Sequence, residues 1–323
     1  MRLGGRPWLY TSSKALIDLL PMEVAAVKFN VVGIGEVLWD MLPAGPQLGG
    51  APTNFAYHAH ALGANSQVIT RVGKDDLGRE VIRRFQGLGL PESTVQLDGV
   101  APTGTATVKI SGDGLARFTI QEHVAWDLMV ATEEALAAAR EADAICFGSL
   151  AQRRPVSRHT MQQLVAATPA HALRVFDINL RQSYYSRDVI EQSLHLANVL
   201  KLNQDELPVL AKTFGLSGAA GRGDEGPMEE LARAFHLRLV ALTRGPDGSL
   251  LYENGRWSEC APKPVQVIDT VGAGDAFTAA MVLGLLRGLD LDKVNAIANE
   301  VARYVCSQAG ATPRLPAEFA TNF

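Results

Sequence analysis

The segment Asp269-Thr-Val-Gly-Ala-Gly-Asp-Ala-Phe-Thr278 sets two glycines around one alanine, with an aspartate next and a long apolar run behind it. A glycine turn that opens a helix bares backbone N–H groups at the positive end of the helix dipole, and such a turn holds anions. Without Cβ atoms at Gly272 and Gly274, a phosphate or a growing negative charge can approach the main chain closely. Asp275 at the lip of the turn is placed to take a proton from a hydroxyl while the N–H groups stabilise a group in transfer. Positioning and electrostatics are most of what phosphoryl transfer requires. The same residues also suit a plain helix start in which Asp275 complements the dipole, so this segment alone leaves both readings open.

A second glycine patch, Gln47-Leu-Gly-Gly-Ala-Pro-Thr-Asn54, opens another helix. Asn54 both donates and accepts, which suits a polyol whose hydroxyls need partners of both kinds. Asp40, in Gly35-Glu-Val-Leu-Trp-Asp40, could accept from two vicinal hydroxyls. Taken singly, Gly49-Gly50 is a plain turn and Asp40 a solvated loop residue.

The elements that must position these residues follow an α/β rhythm. Phe29–Ile34 reads as a buried strand running into a turn, and Ala51–Leu62 as a helix with Pro52 in its first turn and Gly63 as its stop. A strand at Gln67–Val72 and an amphipathic helix at Leu77–Leu88 follow. From about Thr94 to Trp126 the texture turns β-rich without a helix, and Ser111-Gly-Asp-Gly114 signals a hairpin turn. This stretch, joined by Leu38–Leu48, is expected to form an antiparallel flap. After Thr132 strands and helices alternate again, and Gly215–Pro227 reads as a surface loop. A hairpin around Glu253-Asn-Gly255 and the helices Ala273–Leu286 and Asp292–Ser307 complete the pattern. Repeated βα units predict a three-layer α/β/α domain with a mostly parallel sheet. Ligands of such sheets bind beyond the carboxyl ends of the strands. The domain is expected over residues 28–323, with a small β lid inserted at about 38–48 and 94–126. Residues 1–27, with a basic start and an apolar stretch broken by Asp18 and Pro21, read as an extension, with Met22 as an alternative start.

The two glycine segments together make the chain resemble the ribokinase/PfkB family of carbohydrate kinases. Asp269 to Phe277 resembles that family's C-terminal signature; Gly49-Gly-Ala-Pro-Thr-Asn54, with Gly63 and Arg71-Val-Gly-Lys-Asp-Asp-Leu-Gly78, resembles its N-terminal one. The resemblance runs from about Lys28 to Pro316 and implies a ribokinase-like fold and ATP-dependent transfer to a primary sugar hydroxyl. It makes Asp275 the base and Gly272, Ala273 and Gly274 the anion hole. Asn203-Gln-Asp-Glu206 corresponds to the family's Asn-x-x-Glu element, which implies that Glu206 orients Mg²⁺ largely through water. By themselves Asn203 and Glu206 are a helix start, with an Asn cap and Glu at the third position. Thr243-Arg-Gly-Pro-Asp-Gly248 resembles the family's nucleotide loop, with Thr243, Gly245 and Gly248 near the phosphates, and Asn299 falls beside the implied adenine. Asp269, Val271, Val305 and Gly310 fall where relatives hold a monovalent cation such as K⁺.

Gly35-Glu-Val-Leu-Trp-Asp-Met-Leu-Pro43 and Phe176-Asp-Ile-Asn-Leu-Arg181 look most like fructokinase-type members, with Arg181 reaching the substrate. Arg181 also suits a keto-deoxy-gluconate kinase, where an arginine would pair with a carboxylate. Ribose is less favoured, because the ribokinase subgroup usually carries Asn where Glu36 stands. A non-catalytic sugar sensor descended from a kinase is the rival of another class; Asp275 with both flanking glycines favours catalysis. The resemblance also implies a homodimer through the lid.

Composition closes off other classes. Thirty Lys and Arg against 34 Asp and Glu leave a net charge of −4, so no basic field draws in nucleic acid or an anionic membrane. No stretch supplies the about 20 apolar residues of a membrane span. Three widely spaced cysteines form neither a disulfide framework nor a zinc site and suit a reducing, cytoplasmic setting. Leu38 stands where a dinucleotide fingerprint needs its third glycine, and neither a P-loop nor a G-x-S-x-G elbow occurs.

Overall fold

The computed structural model describes Met1 and residues 28–321, apart from 44, 111–115, 217–222 and 262. Beyond Met1, the expected extension lies outside the described residues, as does the expected turn at Ser111–Gly114.

In chain order, β1 (Asn30–Ile34) leads to β2 (Leu38–Leu42), β3 (Gly45–Gly49), α1 (Ala51–Ala61), β4 (Asn65–Gly73), α2 (Asp76–Gly87) and β5 (Val95–Asp98). Next come β6 (Gly104–Ile110), β7 (Ala116–Ile120), α3 (Glu133–Arg140), β8 (Ala144–Phe147), α4 (Pro155–Ala166), β9 (Leu173–Asp177), α5 (Arg187–Leu196), β10 (Val199–Asn203) and α6 (Glu206–Phe214). Last are α7 (Glu225–Ala234), β11 (Leu239–Thr243), β12 (Ser249–Glu253), β13 (Arg256–Cys260), α8 (Ala273–Leu286), α9 (Leu291–Cys306) and α10 (Ala317–Thr321).

Nine strands form one sheet in the order β13-β12-β11-β10-β9-β8-β1-β4-β5. Neighbours from β11 to β5 are parallel, and β12 and β13 add an antiparallel edge. The apolar runs are buried on both faces, as parallel strands flanked by helices require. Val31, Val175 and Val199 pack with Phe55 of α1 and Phe277, Met281 and Val301 of α8 and α9. Val32, Phe176 and Leu200 face Leu164, Leu194, Leu210 and Leu231 of α4 to α7 on the other side. Chain order reverses between β8 and β1, which opens a crevice at their carboxyl ends.

A four-stranded sheet, β3-β2-β6-β7, stands beside the large one. Two expectations for the flap need correction. β5 belongs to the large sheet, paired with β4; Arg71 bridges to Asp98 at 2.8 Å and Thr94 Oγ1 donates to Val68 O, which tie it there. The small sheet is also mixed, because β2 and β6 run parallel; the long crossover between them returns the chain in the same direction, which no hairpin does. A third difference concerns Gly215–Pro227: α7 already begins at Glu225, since proline is tolerated in a first helical turn. Residues 217–222 of that stretch lie outside the described residues.

Arg153 ties the small sheet's exit to the body. Its guanidinium bonds both oxygens of Asp127 at 2.8 Å and donates to Gln121 O at 2.6 Å, just past β7. It also lies 4.0 Å over the Trp126 ring. The Arg153 and Asp127 side chains are 3% and 2% exposed. Removing one partner of such a pair leaves a buried charge uncompensated, at about 3–5 kcal/mol. Arg153→Met is therefore expected to lower the unfolding free energy in urea by about that amount; an unchanged midpoint would contradict the fastening role of this pair.

Candidate active site

The carboxyl ends of β1, β9 and β10 meet the first turns of α1 and α8 at the crevice. Gly272 opens α8 with φ of 79°, and a Cβ there would lie 2.4 Å from Ala311 O. Only glycine accepts both the left-handed backbone and that approach. The N–H of Ala273 turns back to Thr270 O at 3.3 Å, and the first helical bond runs from Ala276 N to Gly272 O. The amides of Gly274 and Asp275 precede any helical acceptor and sit at the positive end of the dipole. Of the three expected anion-hole residues, Ala273 thus has its amide already engaged.

Asp275 is half-buried, and its Oδ2 accepts from Asn54 Nδ2 at 2.8 Å. This bond joins the two glycine-opened helices. Burial raises the Asp275 carboxyl from 3.8 to about 6, and the charge of Asp177 adds to the rise; Asn54, Lys201 and Arg181 oppose it. The other amide atom of Asn54, Oδ1, is buried without a protein partner.

Asp40 lies on β2, and a Cβ on Gly49 would meet its Oδ2 at 2.6 Å. Gly50 caps α1, and its carbonyl accepts from Thr53 N and Asn54 N. Arg181 lies in the loop after β9, exposed, with Nη1 on Leu180 O. Burial raises the Asp40 carboxyl and Arg181 pulls it back. Arg181, from the loop after β9, thus acts on both Asp40 of the small sheet and Asp275 of α8.

Asn203 and Thr243 are register partners at the ends of β10 and β11. Asn203 Oδ1 accepts from Glu206 N at 3.0 Å while Glu206 Oε2 accepts from Asn203 N at 2.8 Å, a reciprocal capping box. Glu206 Oε1 accepts from Leu180 N at 2.8 Å, so this buried side chain also ties α6 to the Arg181 loop. Gly245 and Gly248 bracket a tight turn with φ of 54° and 84°. Asn299 is half-buried, its amide donating to Ser249 Oγ at 2.6 Å and to Asn295. Asp269 spends its carboxylate on Val271 N and Gly310 N, each at 3.0 Å. Val305 is buried in α9, next to Cys306, whose carbonyl accepts from Asp269 N.

Three residues of the crevice were not among the expected site residues. Glu36, 3% exposed, has one oxygen without a protein partner; burial raises its carboxyl to about 7, against the pull of Arg181. Asp177 and Lys201 are 5% and 6% exposed and pair at 3.1 Å. Burial opposes the Lys201 charge, yet Asp177, Glu206 and Asp275 outweigh it and hold the ammonium above the ordinary lysine value. Their signal was in the sequence: a charge within an otherwise apolar strand must find a buried partner.

A family model for the pfkB family of carbohydrate kinases matches residues 45–318. The chain belongs to that family. It is a carbohydrate kinase, a phosphotransferase with the ribokinase-like fold. It is 30% identical over 309 residues to a protein of Pyrococcus horikoshii named as a sugar kinase, covering 93% of this chain and 90% of that one. Identity to a Klebsiella pneumoniae fructokinase is 29% over 280 residues, covering 83% and 88%. The Pyrococcus protein crystallised with ATP superposes with a TM-score of 0.75 at 28% identity, over 87% and 94% of the two chains. No described helix is long and apolar enough to cross a membrane.

The Asp275 carboxyl has a folded value above its unfolded one. Its contribution to stability is full below about pH 4 and is lost as pH rises through about 6. Asp275→Asn should match the wild type near pH 4 and exceed it at pH 8, by up to about 3 kcal/mol. Urea unfolding at the two pH values measures this, and equal stability at both would show that the carboxyl is not desolvated.

Proposed function

We propose that this carbohydrate kinase transfers the γ-phosphoryl group of ATP to a primary hydroxyl of fructose, with Asp275 as the base. The observation that carries the reading is the bond from Asn54 to Asp275 beside the unengaged amides of Gly274 and Asp275. The carboxylate is oriented and, with its raised value, ionised at neutral pH yet basic enough to take a hydroxyl proton. Oδ1 of Asn54, Asp40, and the glycine backbone at Gly49 and Gly50 offer acceptors and donors for the sugar hydroxyls. The amides at the start of α8 stabilise the charge of the group in transfer. The small sheet carries Asp40 and, with the sugar bound, excludes water that would otherwise hydrolyse ATP.

The nucleotide lies along Asn203, Thr243, Gly245 and Gly248, with Asn299 toward the base. Its use as co-substrate is supported by the ATP-bound Pyrococcus structure. Among the described residues no group of three or more His, Cys, Asp or Glu could form a metal cage. That donor set fits a hydrated Mg²⁺ held through phosphates and water, with Glu206 as the facing carboxylate; each Glu206 oxygen keeps a lone pair beyond its one N–H bond. When bound, Mg²⁺ neutralises charge on the phosphates. The Asp269 carboxylate is spent on N–H groups, so a K⁺ ion there would be held by carbonyl oxygens. Pairing of two copies through the small sheet belongs to the same proposal. A sugar acid such as keto-deoxy-gluconate is the second reading, favoured by the exposed Arg181 beside Asp40.

Asp275→Asn should keep the affinity for sugar and ATP and lower kcat by about 10²–10⁴-fold; undiminished turnover would remove Asp275 from its role. In the wild type, kcat/KM should fall as pH drops below about 6, where Asp275 protonates. ADP release measured over fructose, ribose, keto-deoxy-gluconate and adenosine should be fastest with fructose. Preference for the sugar acid, lost in Arg181→Met, would establish the second reading.

A further inference from the structure

We propose that Lys201 is a positioning residue of the transfer reaction: paired with Asp177 under the first turn of α8, its ammonium holds the Gly272–Gly274 turn in place and supplies a fixed positive charge beside Asp275. The proposal rests on Asp275 being the base.

Lys201 sits in β10 between Leu200 and Leu202, both fully buried, and is itself 6% exposed. Its Nζ meets Asp177 Oδ1 at 3.1 Å. The Thr278 hydroxyl lies 2.9 Å from the other oxygen of Asp177 and 3.0 Å from Gly274 O, and shares its one proton between these two acceptors. The lysine, the aspartate and the threonine therefore form a chain from the sheet to the start of the helix. A Cβ on Gly274 would lie 3.1 Å from the ammonium nitrogen. Glycine at this position thus lets the cation press against the turn from behind, besides opening the front to a phosphate.

The charges around the pair give it a task. Asp275 is faced by Glu36 after β1, Cys146 of β8, Asp177 of β9, Arg181 of the following loop and Lys201 of β10. Glu206 of α6 faces Lys201 and Asp177. Burial pushes the Cys146 thiol well up, so it stays neutral. Lys201 is the buried cation among these carboxylates, while Arg181 is exposed. A nucleotide adds further negative charge at the same place. A cation fixed beforehand in a water-poor site stabilises that charge without reorganisation. Stability alone does not call for the pair, since apolar residues of similar volume often replace a buried ion pair without loss.

The test compares Lys201→Met, the double variant Asp177→Asn with Lys201→Met, and Asp275→Asn. Each is checked for folding in urea and assayed with ATP and the sugar that the wild type turns over best. In Lys201→Met, kcat should fall about a hundredfold, on the scale of losing one preorganised donor, with the sugar KM within about threefold. The acid limb of its pH profile should move to higher pH, because the cation favouring ionised Asp275 is gone. In the double variant, which removes both charges of the pair, the limb should return toward the wild-type position while kcat stays low. If Lys201→Met does not fold, the double variant carries the test. A folded variant with kcat within about threefold of the wild type overturns the proposal; so does a loss of kcat in Lys201→Met with the acid limb unmoved, which would mark a structural role only. Active Asp275→Asn would instead sink the base assignment, so the two failures are distinguishable.

Discussion

The hydrogen bond from Asn54 Nδ2 to Asp275 Oδ2 joins two helices whose residues lie far apart along the chain. It forms only because both helices meet the crevice through glycine. Gly272 turns the chain at a backbone angle closed to other residues and sets α8 against Ala311. A Cβ on Gly33, in β1, would lie 2.4 Å from Pro52 O, so the first turn of α1 is equally close to the sheet. With the two helix starts fixed in this way, the open N–H groups, the carboxylate and its amide partner share one small space. If either start shifted, Asp275 would lose its amide partner and its orientation.

The arrangement works against the stability of the fold. Glu36, Asp177, Glu206 and Asp275 gather at one end of the sheet, and burial raises the carboxyls of Glu36, Glu206 and Asp275. Such a cluster survives because the rest of the molecule over-determines it. Two large apolar layers hold the sheet from both faces. Glu206 is locked by N–H groups of Leu180 and Asn203, and Asp177 by Lys201 and Thr278. Active sites commonly hold groups that would be more stable elsewhere.

The small sheet divides the labour. The large sheet supplies Asp177 and Lys201 to the crevice, whereas Asp40 and Gly49 arrive on β2 and β3. The parallel pairing of β2 with β6 in the small sheet depends on a crossover through β3, α1, β4, α2 and β5, so that sheet is built from segments that are not adjacent in the chain. Arg153 then fastens its exit to the body beneath Trp126.

Local chemistry made much of this legible beforehand. The apolar runs and their spacing marked the strands and helices, because periodicity follows from which face is buried. The glycine turns at Gly49-Gly50 and Gly272–Gly274 marked two helix starts with open N–H groups, and the family resemblance they carry pointed to Asp275 as the expected base. Pairing partners were not legible. β5 carried the composition of the flap but joined β4 through Arg71 and Asp98, a contact that no spacing encodes. Lys201 and Asp177 stood in separate strands as isolated charges, and only the parallel register of β9 and β10 brought them together. The sequence by itself determined the elements and the glycine-opened helix starts, since these depend on backbone freedom and local periodicity. Tertiary structure decided which charges face one another, because burial and proximity shift ionisation and both arise only once distant strands lie side by side.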